Sequence, residues 1–189
     1  MGILVAFTRT PQSIIIEKGL WPASPFDSIP YYSNISDIIF LGQVESRTKI
    51  NHDVDGHNFY YITMTVEQVL KGISPETLTI RIDQGTEKLG WWYRPDVNPG
   101  ERVIIFASSI DDTKATYRTP IESTIWRIEG NEVYNKWGRW MKEKHTTKPY
   151  PERRMPSEIR KRWGQTFRLS KFMENVELAI SGNTAEVWK

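Results

Sequence analysis

Between positions 38 and 106 the chain repeats one pattern: a short apolar or alternating run, closed by Gly, Pro or Asp. Residues 38–44 (IIFLGQV) are almost wholly apolar at their start, which predicts a strand buried on both faces. Residues 59–70 put Tyr60, Ile62, Met64 and Val66 on one face and Tyr61, Thr63 and Thr65 on the other. At Val66 the phase shifts to Val69 and Leu70, which predicts a β-bulge bending a long strand. Leu78, Ile80 and Ile82 then alternate with Thr79, Arg81 and Asp83, and an apolar run resumes at 102–107. Asp55-Gly56 and Gly130-Asn131 are hairpin signals, and weaker strands are expected at 116–119, 125–128 and 133–134.

The flanks read differently. Before residue 32, Ile14-Ile15-Ile16 suggests a strand or arm, followed by a loop punctuated by Pro22, Pro25 and Pro30. Residues 33–37 read as a turn. At the other end Phe172, Met173, Val176, Ala179 and Ile180 fall at helical spacing, with Ser170 as the expected N-cap and Gly182 where a left-handed C-terminal residue belongs. The expected organisation is an arm (1–32), a β-barrel (33–135) and a basic, aromatic extension (136–189) whose terminal helix packs on the barrel.

Short strands of period two leave sheet edges to protect, and closure into a cylinder is the economical solution. The fold class expected is therefore mainly β: an OB-fold-like five-stranded antiparallel barrel with a C-terminal α-helix.

Charge is unevenly spread. Residues 136–171 hold twelve Lys and Arg against three Glu, an excess of nine, whereas the whole chain carries +2, so the remainder is acidic by seven. Cysteine is absent, which excludes disulfides, thiolate metal sites and cysteine nucleophiles. No apolar run approaches the ~18 residues of a membrane-spanning helix, and residues 2–7 are too short for the core of a signal peptide.

Several segments resemble a known group. Ser36-Asp37-Ile38-Ile39-Phe40-Leu41-Gly42-Gln43-Val44 is similar to the first strand of the netrin-like, tissue-inhibitor-of-metalloproteinase-like OB folds. Val66-Glu67-Gln68-Val69-Leu70-Lys71-Gly72 resembles the end of their second strand, and Leu78-Thr79-Ile80-Arg81 the strand that follows. Asn98-Pro99-Gly100-Glu101-Arg102 resembles the turn into the fourth. The resemblance implies an OB barrel, a binding role, and an extracytoplasmic or cell-surface setting. Zinc chelation by an N-terminal cysteine, the inhibitory device of the eukaryotic members, does not carry over to a chain without cysteine.

Candidate binding residues combine aromatic and basic character: Trp91, Trp92, Tyr93 and Arg94 in a Gly- and Pro-rich loop, then Trp137, Arg139, Trp140, Arg162 and Trp163 in the extension. Indoles beside guanidinium groups suit contact with a protein partner. The alternative partner is single-stranded nucleic acid, which stacks on aromatic rings and pairs its phosphates with cations. A third reading takes His52, Asp53, Asp55 and His57 as ligands for a divalent ion, against the plainer one of a polar hairpin tip. No P-loop, nucleophile elbow or H-E-x-x-H motif is present. The expectation is thus a non-enzymatic module without a cofactor.

Overall fold

The computed structural model describes residues 14–16, 19–21, 29–85, 96–119, 124–135 and 166–183. Strands β1 (Ile14–Ile16) and β2 (Gly19–Trp21) pair with each other as an antiparallel ribbon. Helix α1 (Ile29–Ile35) follows. Then come β3 (Ile38–Arg47), β4 (Asn51–His52), β5 (Asn58–Lys71), β6 (Thr77–Gly85), β7 (Arg102–Ser109), β8 (Tyr117–Thr119), β9 (Ile125–Glu129), β10 (Glu132–Tyr134) and β11 (Phe167–Arg168). Helix α2 (Leu169–Ile180) comes last.

Five of these strands close a cylinder. Antiparallel pairings join β7 to β3, β3 to β5 and β5 to β6. Strand β8 completes the circuit, running parallel to β6 through Ile80–Tyr117 and Ile82–Thr119 and antiparallel to β7 through Ser109–Tyr117. The expected barrel is present, with one parallel seam where all pairs were expected to be antiparallel. That seam arises because β8 returns from the far end of β7 and must run in the direction of β6.

The long strand β5 bends as its sequence phase requires. Its register against β3 shifts between Gln68 and Val66 and again between Lys71 and Val69, leaving Glu67 and Leu70 as the extra residues. Glu67 takes a bidentate pair from Arg102, which lies across β3 from it. Gly42 sits at one shift, and a Cβ there would collide with the carbonyl oxygen of Thr65, so the close approach of β3 and β5 requires glycine.

Alternation on β3 and β7 feeds two cores. Ile38, Phe40, Val103, Ile105 and Ala107 point into the barrel with Tyr60, Ile62, Met64, Ile80 and Ile82. Ile39, Leu41, Ile104 and Phe106 point outward, where Trp126, Val133 and the helical residues Ile29, Phe172, Val176 and Ala179 cover them. Trp126 and Phe172 pack with ring centroids 4.9 Å apart. Strands β9 and β10 extend the sheet from β7, and β11 joins β10, so α2 starts from the sheet it covers.

Two local expectations are corrected. Residues expected as a turn from Ser33 belong to α1 as far as Ile35; Pro30 lies in its first turn, where a missing N–H costs nothing. Ser170 is not the N-cap of α2. The helix begins at Leu169 behind Arg168, without a side-chain cap, and the Leu169 N–H is met by the Asn131 carbonyl at 2.9 Å. The expected C-terminus holds: Gly182 has φ 84°, and Gly182 and Asn183 donate to the carbonyls of Ala179 and Leu178 in a Schellman arrangement.

Gly42→Ala should destabilise the fold by about 1–3 kcal/mol through overpacking against backbone. Urea unfolding is expected to show a lower midpoint at an unchanged slope.

Candidate functional site

Trp91, Trp92, Tyr93, Arg94, Trp137, Arg139, Trp140, Arg162 and Trp163 all lie outside the described residues. The residues from which their segments leave and to which they return are described, and these gather at one end of the barrel. Strand β6 delivers Gln84 there, next to the start of β5 at Asn58, and β8 arrives beside it through the Ile82–Thr119 pair. The hydroxyls of Thr119 and Thr124 hydrogen-bond to each other across the next connection. Asn135, where the 136–165 segment departs, donates from Nδ2 to the Ile125 carbonyl at 2.9 Å, and Phe167, where it returns, pairs with Val133.

That end of the barrel is polar although buried. Asn58, Gln84, Thr119, Thr124, Arg127 and Asn135 are all enclosed above an apolar interior. Val97 plugs the opening, with its N–H donated to the Tyr60 hydroxyl at 2.8 Å. Arg47 lies over the Tyr60 ring at 4.0 Å and donates to Asp96 Oδ1 (2.5 Å), the Val97 carbonyl (3.2 Å) and Asn98 Oδ1 (3.1 Å). Arg127 reaches the Asp96 carbonyl at 3.0 Å.

A second constellation occupies the outer face of β5 and β6. Arg81 donates from Nε to Asp83 at 2.6 Å and from Nη2 to Asp53 at 3.2 Å, and its Nη1 stands 3.7 Å from Asp112. Its guanidinium covers the Phe59 ring at 3.9 Å. The Tyr61 hydroxyl donates to the Asp112 carboxylate at 2.9 and 3.1 Å. Partial burial and that carboxylate push the Tyr61 hydroxyl above its usual 10.0. One guanidinium thereby ties the 53–57 hairpin tip, β6 and the 110–116 connection together. In OB folds the second and third strands with these two connections commonly form the ligand face. Here its central cation is already held by three carboxylates.

Of the four residues that the third reading takes as ligands for a divalent ion, Asp53, Asp55 and His57 come together, with donor atoms within 4.8 Å, and His52 lies apart in β4. Asp53 is committed elsewhere. Its Oδ1 accepts the N–H groups of Asp55 (3.1 Å) and His57 (2.8 Å), closing the hairpin tip, while Oδ2 faces Arg81. This is the chemistry of a turn; an ion would have to compete with Arg81 for the same carboxylate.

The Arg81 hub escaped sequence reasoning because its partners lie far apart in the chain. The clean alternation of β6, which places Arg81 and Asp83 on the outward face, was the one available signal. Compared with protein-family models and with the curated proteins, the sequence matches none. The class of protein rests on the fold alone: a closed, mixed five-stranded barrel, consistent with an OB-fold-like domain, with a C-terminal helix.

Three carboxyls, two in this network and one before β3, sit below the ordinary value of 3.8. Asp37 is held there chiefly by the Ser109 N–H and Asp53 chiefly by the His57 N–H. Asp112 is partly buried, which opposes ionisation, but the N–H of Lys114 and the Tyr61 hydroxyl outweigh that. A carboxyl depressed by folding stabilises the native state above its unfolded pKa, and that contribution is lost as pH falls through the folded value. The urea midpoint should therefore fall below about pH 4, and Asp112→Asn should flatten the decline. An identical slope in the variant would contradict this account.

Proposed function

We propose that this chain is a non-enzymatic recognition module of the netrin-like, tissue-inhibitor-of-metalloproteinase-like kind of OB barrel. It works outside the cytoplasm or at the cell surface and binds another protein. The contact residues are Trp91, Trp92, Tyr93 and Arg94, with Trp137, Arg139, Trp140, Arg162 and Trp163. The observation that carries this reading is convergence: the segments holding these residues, 86–95 and 136–165, are rooted at one barrel end, at Gln84, Asp96, Asn135 and Phe167. A rigid cylinder presenting several connections from one rim is a common way to build a recognition surface.

The outer face of β5 and β6 weighs against nucleic acid as the partner. Asp53, Asp83 and Asp112 surround Arg81, and the Arg81 and Lys114 cations lie over the Phe59 and Tyr61 rings. Phosphates meet carboxylates there, and the rings are already covered.

Crosslinking capture with purified protein should recover a defined partner from the extracytoplasmic fraction of the native host. Trp91→Ala with Trp92→Ala should weaken that capture by roughly 30-fold or more, the scale of hot-spot aromatics, at an unchanged urea midpoint. Loss of capture only in step with lost stability would return both tryptophans to the fold. Retention of single-stranded oligonucleotides with a steep salt dependence would replace the protein reading by the nucleic-acid one.

A further inference from the structure

Arg127 stands where the strand pattern calls for an apolar residue. On β9, Ile125 faces the barrel interior and Trp126 and Ile128 face α2, so Arg127 shares the inward side with Ile125 and is paired in register with Val103. Its side chain is only 4% exposed. Burying a guanidinium costs more than burying a methionine of similar length, unless its donors find fixed acceptors. Its two terminal nitrogens do: Nη2 reaches the Asp96 carbonyl at 3.0 Å and Nη1 the Ile125 carbonyl at 3.4 Å, while Nε faces the Glu101 carboxylate at 3.7 Å, an ion pair without a hydrogen bond.

Asp96 is gripped from two strands. Arg127 on β9 holds its carbonyl, and Arg47 on β3 holds its side chain and the two residues after it. Strands β3 and β9 flank β7 on its two edges, so the grips come from opposite sides. The Tyr60 hydroxyl fixes the Val97 N–H from inside the barrel. Reciprocal backbone bonds lay the following turn on β3: Gly100 N–H to the Val44 carbonyl at 2.8 Å, and Val44 N–H to the Glu101 carbonyl at 2.9 Å.

We infer that Arg127 and Arg47, with Tyr60, are positioning residues that set the point at which the 86–95 segment returns to the barrel, and so fix one end of the segment that carries Trp91 and Trp92. The inference rests on the proposed binding role only for what the clamp is for. The clamp itself is a property of described residues. A buried cation kept for geometry makes a specific demand: replacing it by an apolar group of similar length should loosen 96–98 while leaving the barrel intact.

Native-state hydrogen exchange on the full chain tests this, comparing Arg127→Met, Arg47→Met and the double variant with the unmodified protein. Exchange at Val97 should speed up by about tenfold or more in the double variant, with protection across β3 and β5 held within about twofold. Should the double variant fail to fold, Tyr60→Phe, which removes the acceptor of the Val97 N–H, should show the same local rise. Exchange at Val97 that rises only in step with the barrel strands, or does not rise, overturns the inference and leaves Arg127 as packing. No partner enters the measurement, so its failure is separate from a failure of the capture experiment.

Discussion

Strand β8 determines whether the sheet closes. Tyr117–Thr119 is only three residues long, yet it hydrogen-bonds β6 on one edge and β7 on the other. Without it, β6 and the end of β7 would be open edges, and the apolar inward faces of β3, β5, β6 and β7 would have no shared interior. With it, Tyr60, Ile62, Met64, Ile80, Ile82 and Ile105 fill a cylinder and become fully buried. The polar rim follows from the same closure, since Thr119, the last residue of β8, is paired with Ile82 and hydrogen-bonded to Thr124 at the end where the aromatic segments are rooted.

The helical layer is bound to the barrel by alternation on shared strands. Each of β3 and β7 sends one set of side chains inward and the other toward α1 and α2. Deleting the Trp126 or Phe172 ring would open a cavity in the outer core, of a kind that costs roughly 3–5 kcal/mol, and would do so against strands that form the barrel wall. The C-terminal helix is thus an integral layer of the domain. It also leaves the far side of the barrel, the outward face of β5 and β6, to the Arg81 network.

Much of this was legible in the sequence, for identifiable reasons. Period-two alternation marked β5 and β6, and a continuous apolar run marked β3 as buried on both faces. The phase shift after Val66 marked the bulges, and Gly182 the end of α2. Each of these signals is local. What escaped was set from a distance. The parallel β6–β8 seam depends on where a strand returns in space. The start of α2 is capped by a carbonyl from the Gly130-Asn131 hairpin, so the local hydroxyl of Ser170 was the wrong guide. Helix α1 is two turns long and held by packing under α2, through Ile29 in the shared outer core. The two arginines at Asp96 were invisible for the same reason, being contributed by strands about fifty and thirty positions away.

The account stands on the closed cylinder, and amide exchange of β8 measures closure most directly. If β8 bridges β6 and β7 in solution, the amides of Tyr117–Thr119 that bond to those strands will exchange only through the global opening that also exposes β3 and β5. Exchange of those amides about a hundredfold or more faster than the β3 and β5 amides, in the intact protein, would mean an open sheet and would contradict it.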